Sequence, residues 1–294
     1  MLYTNHYSMP DAFVRVIDSL TRDLSESDPK RIGVTTLINS PRIRALTVRH
    51  FKELEEDYSD HIWRILGESI HWVLLHAENH ENLVEQKIEE VIDGITVVAK
   101  PDLYEDKIKS VEDWKVTSVW AIKFKDRQEW AEQLNPYAWF LRRAGFEVNK
   151  LYINAILKDW RKSESKKYED YPKIPFQRIE IELWSNEKTE KFIKDRIKEY
   201  QIALELADDE LPLCTKKERW AKDDVFAIYK NSNKTATKLC DSKEEADKYL
   251  LELGKTKDVY RIDKREGTDV RCNDYCICRS YCDYFLKKYG KNNE

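Results

Sequence analysis

Two stretches of alternating apolar residues, 95–100 and 108–117, flank a pair of acidic positions: Pro101-Asp102 and, eleven residues after the aspartate, Asp113-Trp114-Lys115. A period of two marks strands packed on one face, so Asp113 and Lys115 project from the same side of a sheet. Asp93-Gly94, a dipeptide that accepts positive φ at both turn positions, closes a hairpin between 83–90 and 95–100. Any fold for this chain has to be built around that sheet.

Apolar spacing predicts helices over 10–24, where Pro10 suits a first turn, over 59–80, over 127–144 with Gly145 as C-cap, and over 185–207. A loop leads to 33–38, and further strands fall at 150–157 and 177–183. Pro136 should kink the third helix or mark a late start for it. Helix, three strands, helix, strand is the order of an α/β fold with a mixed central sheet flanked by helices. Behind it, 216–270 reads as a small α+β insertion. It has a strand at 225–230, a helix from the Ser242-Lys243-Glu244-Glu245 capping box to 253, and a strand at 259–264. The expected organisation is a core over 1–215 with a helical N-terminal part, the insertion, and a cysteine-rich segment, 271–294, packing back on the core.

At 294 residues the chain can bury a sizeable core, and 36% charged residues with only 7 Gly and 8 Pro indicate a helix-rich protein rather than a disordered one. The formal charge of −4 advertises no polyanionic partner. Nucleic-acid binding would therefore need local basic patches and cations that offset nearby acids. Residues 1–10 lack the apolar centre of a signal peptide and no apolar run is long enough to span a bilayer, so the expectation is a cytoplasmic protein, of a cell or of an infected host.

Chemistry follows from the paired acids. Asp102 and Asp113 can share a divalent cation, Mg2+ or Mn2+, through hard oxygen ligands. The Lys115 amine can position the attacking water and help to deprotonate it. This is the minimum equipment for metal-dependent phosphodiester hydrolysis.

Asp102, then Asp113-x-Lys115, then Gln133-Leu134-Asn135-Pro136-Tyr137 resembles the PD-(D/E)XK nuclease superfamily in its RecB-like branch, where a Gln-x-x-x-Tyr motif lies on the helix after the lysine strand. Gly67-Glu68-Ser69-Ile70-His71 is similar to the same branch's helical histidine motif, so the resemblance covers roughly 67–137. It implies a restriction-endonuclease-like core in which His71, Asp102, Asp113 and the backbone carbonyl of Trp114 bind the catalytic cation. Lys115 would orient water or offset charge on the phosphate. Gln133 and Tyr137, four apart and on one helix face, would hold the DNA backbone or buttress the site. The resemblance further implies an exonuclease acting on DNA ends or single strands, with a recombination or replication protein as partner, and the layout is similar to nucleases encoded by bacteriophages. The other reading is a non-catalytic DNA-binding or assembly subunit that keeps this fold. His76 and His80, at helical spacing, suggest either a second site or exposed histidines, and Glu85 is a further acid near the strand leading to Asp102.

Four of six cysteines, Cys272, Cys276, Cys278 and Cys282, fall in one short segment, the clustering expected of thiolate ligands to zinc or iron. Cys272-x3-Cys276-x5-Cys282 resembles the last three ligands of the iron-sulfur cluster of some RecB-like nucleases, including CRISPR-associated ones. There a first cysteine precedes a Pro-Arg pair; here Ser40 stands before Pro41-Arg42. A four-thiolate site must then use Cys214 or Cys278, which leaves Zn2+, a [4Fe-4S] cluster and buried free thiols all open. For DNA, Lys123, Lys125, Arg127, Arg142 and Arg143 flank the acidic site, and Lys158, Arg161, Lys162, Lys166 and Lys167 form a basic loop. Trp114, Trp120, Trp130, Trp139 and Trp160 are interleaved with them, as core residues or as platforms for bases.

Overall fold

The computed structural model describes residues 1–21, 27–77, 81–123, 127–252, 254 and 259–290. In chain order the first of its two units, Met1–Leu211, contains β1 (Leu2–Thr4), α1 (Asp11–Thr21), β2 (Arg31–Gly33), α2 (Val34–Leu37), α3 (Pro41–His50), β3 (Glu55–Asp57), α4 (Ile62–Leu75), β4 (Leu83–Val84), β5 (Ile88–Ile92), β6 (Ile95–Ala99), β7 (Leu103–Glu105), β8 (Ser110–Thr117), α5 (Val119–Lys123), α6 (Gln128–Arg143), β9 (Lys150–Leu157), α7 (Lys162–Lys167), β10 (Phe176–Ile181) and α8 (Asn186–Glu205).

Five strands form the central sheet in the order β10-β9-β8-β7-β4. β8 and β9 pair in parallel from Ser110 opposite Lys150 to Thr117 opposite Leu157, since α5 and α6 carry the chain back between them. The remaining pairings are antiparallel, so the sheet is mixed. Along β9 the alternate residues Leu151, Ile153, Ala155 and Leu157 are buried, and α6 lays Leu134, Ala138 and Leu141 into the same core. Each of these leucine and isoleucine side chains contributes roughly 1.5–3 kcal/mol on burial. That contact holds the polar face of α6 over β8. A second sheet, β2-β6-β5, joins β2 to β6 in parallel and folds β5 onto β6 through the Asp93-Gly94 turn, where φ is 48° and 81°.

Gly145 ends α6 at φ 93°. Its N–H donates to the Arg142 carbonyl and the Phe146 N–H to that of Leu141, each at 3.0 Å, a Schellman closure. Gly145→Ala should cost about 1 kcal/mol, because a Cβ is strained at that φ. A thermal melt no lower than that of the wild type would contradict this.

Several boundaries differ from the sequence reading. The expected strand over 83–90 is two, β4 and β5, which join different sheets. β7 was not foreseen, and the strand expected from 108 begins at Ser110 after a turn with Lys109 at φ 52°. The helix expected over 59–80 opens as a 3-10 turn, Tyr58–His61, capped by Asp57, and its α-helical part ends at Leu75; 78–80 lie outside the described residues. β2 begins within the loop expected to lead to 33–38, 34–37 form α2, and α3 follows with Pro41 at its N-terminus. Pro136 lies two turns inside α6, so the helix does not start late. The basic loop is partly helical, as α7.

The second unit, Pro212–Glu294, holds β11 (Val225–Lys230), β12 (Lys238–Cys240), α9 (Lys243–Glu252), β13 (Tyr260–Arg265), α10 (Val270–Asp274) and α11 (Asp283–Tyr289). Its antiparallel sheet, ordered β12-β11-β13, packs one face on α9 through Ile228, Cys240, Ala246, Leu250 and Tyr260. Ser242 Oγ accepts the Glu245 N–H at the start of α9. β12 was not foreseen. The cysteine-rich stretch from 271 falls in this unit with 216–270. Buried Asp269 anchors it, accepting from Arg219, Lys288, Tyr284 and Tyr289. Burial alone would raise the Asp269 carboxyl, and those four donors more than offset it and hold its pKa far down. Among the described residues no helix is long and apolar enough to cross a membrane.

Candidate active site

Asp113 sits in the middle of β8, 2% exposed, with Val111 and Lys115 on its side of the strand and Glu112 and Trp114 on the other. The first side faces α6. There Gln133 bridges the two charged groups: its amide nitrogen donates to Asp113 Oδ1 at 2.8 Å and its oxygen accepts from Lys115 Nζ at 3.1 Å. Lys115 Nζ also donates to Asp113 Oδ1 at 3.2 Å. It lies 2.9 Å from Oδ2, yet at an angle that leaves this buried oxygen without a hydrogen bond. The close approach is thus an ion pair that satisfies one of the two carboxylate oxygens. Tyr137, one turn beyond Gln133 and hydrogen-bonded to it, is held protonated by burial and by the Asp113 charge. Gln133 and Tyr137 are 6% and 5% exposed, which suits them to buttressing and not to contact with a DNA backbone.

Asp102 precedes β7. The β7–β8 register ends with Leu103 opposite Glu112, and one further step sets Asp102 against Asp113 on a common side. Where the ladder stops, Asp102 Oδ2 accepts the Trp114 N–H at 2.8 Å. Burial, and next the Asp113 charge, push the Asp102 carboxyl up to about 7, against smaller opposing effects of His71, the Trp114 N–H and Lys115. His71 approaches from α4: Nδ1 is 3.7 Å from Asp102 Oδ1, Nε2 is 3.1 Å from the Trp114 carbonyl, and the ring stands edge-on to the Trp114 indole. His71, Asp102, Asp113, Lys115, Gln133 and Trp114 therefore meet in one place.

Two carboxylates, Asp113 buried and Asp102 partly so, face one ammonium, which leaves excess negative charge in a largely desolvated site. The hydrogen-bond-deficient Oδ2, the carboxylate pair and the carbonyl are a hard donor set that fits Mg2+ or Mn2+. Among the described residues no three His, Cys, Asp or Glu side chains are already drawn into a metal-ligating cluster. The reason is visible, because the His71 ring occupies the Trp114 carbonyl and Asp113 is held by Gln133 and Lys115.

Other candidates go elsewhere. Glu85 pairs with Lys100 at 2.6 Å, and His76 stacks on Trp72; His80 and Lys125 lie outside the described residues. Arg142 binds the carbonyls of Trp184 and Val148, and Arg143, half exposed, pairs with Glu90. Lys123 pairs with Asp170. Glu112, which the sequence reading passed over, is a buried carboxylate on the far side of β8, bound by Ser110, Asn154 and Arg178. Its alternation with Asp113 was the available signal, and its full set of partners marks it as structural.

In the second unit Cys276 Sγ lies 3.6 Å from Cys278 Sγ. That contact, then Arg271 and Arg279 against the effect of burial, lowers the Cys276 thiol to about 7. Burial first, then the charges of Cys276, Asp269, Cys214 and Cys282, push Cys272 up to about 12. Cys278 is raised by Cys276, burial, Cys282 and Cys214. Five thiols thus stand within electrostatic reach of one another, whereas Cys240 is a core residue under α9.

No protein-family model matches the sequence, and no curated protein matches it. Among solved structures the chain is similar to SSO0001, with a TM-score of 0.42 and 18% identity over 63% of this chain and 83% of that one. It is also similar to a phage-related exonuclease from Haemophilus somnus 129PT, with a TM-score of 0.39 and 13% identity over 61% of this chain and 94% of that one.

Proposed function

We propose that the chain is a divalent-metal-dependent DNA nuclease, with Asp102, Asp113 and the Trp114 carbonyl as ligands of Mg2+ or Mn2+ and His71 beside them. The observation that carries this reading is the buried pair of carboxylates with one hydrogen-bond-deficient oxygen against a single ammonium. When bound, the cation supplies Lewis-acid stabilisation of charge on the phosphate. Lys115, held between Asp113 and Gln133, orients water towards the phosphorus and offsets charge that develops on the phosphate oxygens. Gln133 keeps acid and amine in register, and Tyr137, protonated, supports Gln133. His71 holds the Trp114 carbonyl and favours the charged form of Asp102. Exonuclease action on DNA ends or single strands, in phage-type recombination, repair or replication with a protein partner, is the finer reading and comes from the resemblance in 67–137.

End-labelled DNA should be degraded with Mg2+ or Mn2+ and left intact with EDTA. The second reading, a DNA-binding or assembly subunit without turnover, is favoured by the lack of a preassembled cluster among the described residues. DNA that is bound but left whole under all three conditions would establish it.

For the second unit we propose that Cys214 or Cys278, with Cys272, Cys276 and Cys282, holds Zn2+ or a [4Fe-4S] cluster. Thiols this close repel once ionised, and an all-sulfur donor set suits either metal. The metal would fasten α10 and α11 to their unit. Elemental analysis should find stoichiometric zinc or iron in the purified protein, with loss on Cys276→Ser; absence of both refutes the site.

A further inference from the structure

Of the five tryptophans interleaved with basic residues, Trp114 and Trp139 are buried and Trp130 and Trp160 pack on the core, whereas Trp120 is 60% exposed. It lies on α5, which begins two residues after β8 ends, so Lys115 is about 7 Å from the strand end at ~3.3 Å per residue. A cavity of about 600 Å³ opens there, past the carboxyl ends of parallel β8 and β9, with Trp120, Lys123, Asp159, Arg161, Tyr168 and Tyr171 in its wall. Crevices at that end of an α/β sheet are where ligands bind, and the volume suits a small ligand.

Its walls are fixed in place. Asp159 accepts from Ser118 Oγ at 2.6 Å and the Val119 N–H at 2.8 Å, which anchors the first turn of α5 and with it the indole. Across the cavity the Arg161 N–H donates to Tyr171 Oη at 3.0 Å. Lys123 Nζ lies 5.4 Å from the Trp120 ring and 5.8 Å from that of Tyr171. The charges discriminate between ligands. Lys123 and Arg161 are outnumbered by Asp159, Glu164 and Asp170 in the same wall, which disfavours a phosphate. The carboxylates can instead accept from the amino and imino groups of a base, and the exposed indole offers it a stacking face. Phosphates would follow Lys162, Lys166 and Lys167 on α7. A second cavity, about 510 Å³, shares Lys123, Asp170 and Tyr171 with the first.

We propose that this cavity takes one unpaired nucleobase of a DNA strand, stacked on Trp120, as the strand leaves the Asp113–Lys115 site. The placement rests on the nuclease reading; the test reads binding alone and so fails separately from it. Anisotropy of an end-labelled oligothymidylate, with Ca2+ replacing Mg2+ so that the strand is not consumed, should show Trp120→Ala binding about tenfold more weakly than wild type, with Trp120→Phe close to wild type. The same strand made abasic should bind wild type and Trp120→Ala alike. Circular dichroism checks that the Trp120 variants are folded, as expected for so exposed a side chain. Equal affinity of wild type and Trp120→Ala for the oligothymidylate, or wild type that prefers it no more than its abasic form, overturns the proposal.

Discussion

Asp113→Ala and Lys115→Ala are each expected to slow Mg2+- or Mn2+-supported DNA hydrolysis by about three orders of magnitude, or ~4 kcal/mol of transition-state stabilisation. Asp113 contacts both Lys115 and Gln133, so its removal takes away a cation ligand and the anchor of the amine together. Removing Lys115 leaves the Asp113 carboxylate with Gln133 as its partner among the described residues. Charge and shape are separable here. Asp113→Asn keeps an acceptor for Gln133 and removes the charge, so it should be as inactive as Asp113→Ala while melting near the wild type. The two losses should also combine far less than additively, because both residues act on one bound phosphate. Rates of end-labelled fragment release, measured for both single variants and the double variant, decide this. Single variants as active as the wild type would remove the catalytic role of both residues.

The parts of this site that were legible in the sequence are those governed by local geometry. Asp113 and Lys115 are two apart on a strand and Gln133 and Tyr137 four apart on a helix, so each pair shares a face whatever the tertiary structure. The Asp93-Gly94 hairpin, the Gly145 stop and the limits of β9 and β11 were readable for the same reason. Non-local contacts were not readable. Glu85, at φ 49°, turns the chain as its N–H donates to the Asp102 carbonyl at the end of the β4–β7 pairing, so the apolar run over 83–90 divides into two strands in two sheets. Arg142 and Arg143 looked like DNA contacts, yet the partners that claim them, Val148, Trp184 and Glu90, come from other elements. The start of α3 carries a local signal as well, since Ser40-Pro41 is a helix-opening pair.

Asp102→Asn is expected to stabilise the metal-free protein at pH 8 while abolishing its activity. The Asp102 carboxyl titrates near 7 in the fold against 3.8 for the ordinary group, because burial and Asp113 both oppose its charge. Between those values the folded chain holds a proton that the unfolded chain has lost, so stability falls as pH rises through this window and levels off above about 7. The loss is about 4 kcal/mol. Asn carries no charge and retains an acceptor for the Trp114 N–H, so the variant escapes the loss without opening the β7–β8 ladder. In EDTA its Tm should exceed the wild type's by about 8–16 °C at pH 8, taking ~2–4 °C per kcal/mol for a unit of this size, and the gap should close towards pH 4. Mn2+ should reverse the order at pH 8, since a cation between the carboxylates stabilises the wild type and finds one charge fewer in the variant. A group that destabilises the empty fold at the pH where it is charged, and is relieved by a divalent ion, is placed for binding and not for folding. Melting curves of the two proteins that run parallel from pH 4 to pH 8, with and without Mn2+, would mean that Asp102 is an ordinary buried carboxylate.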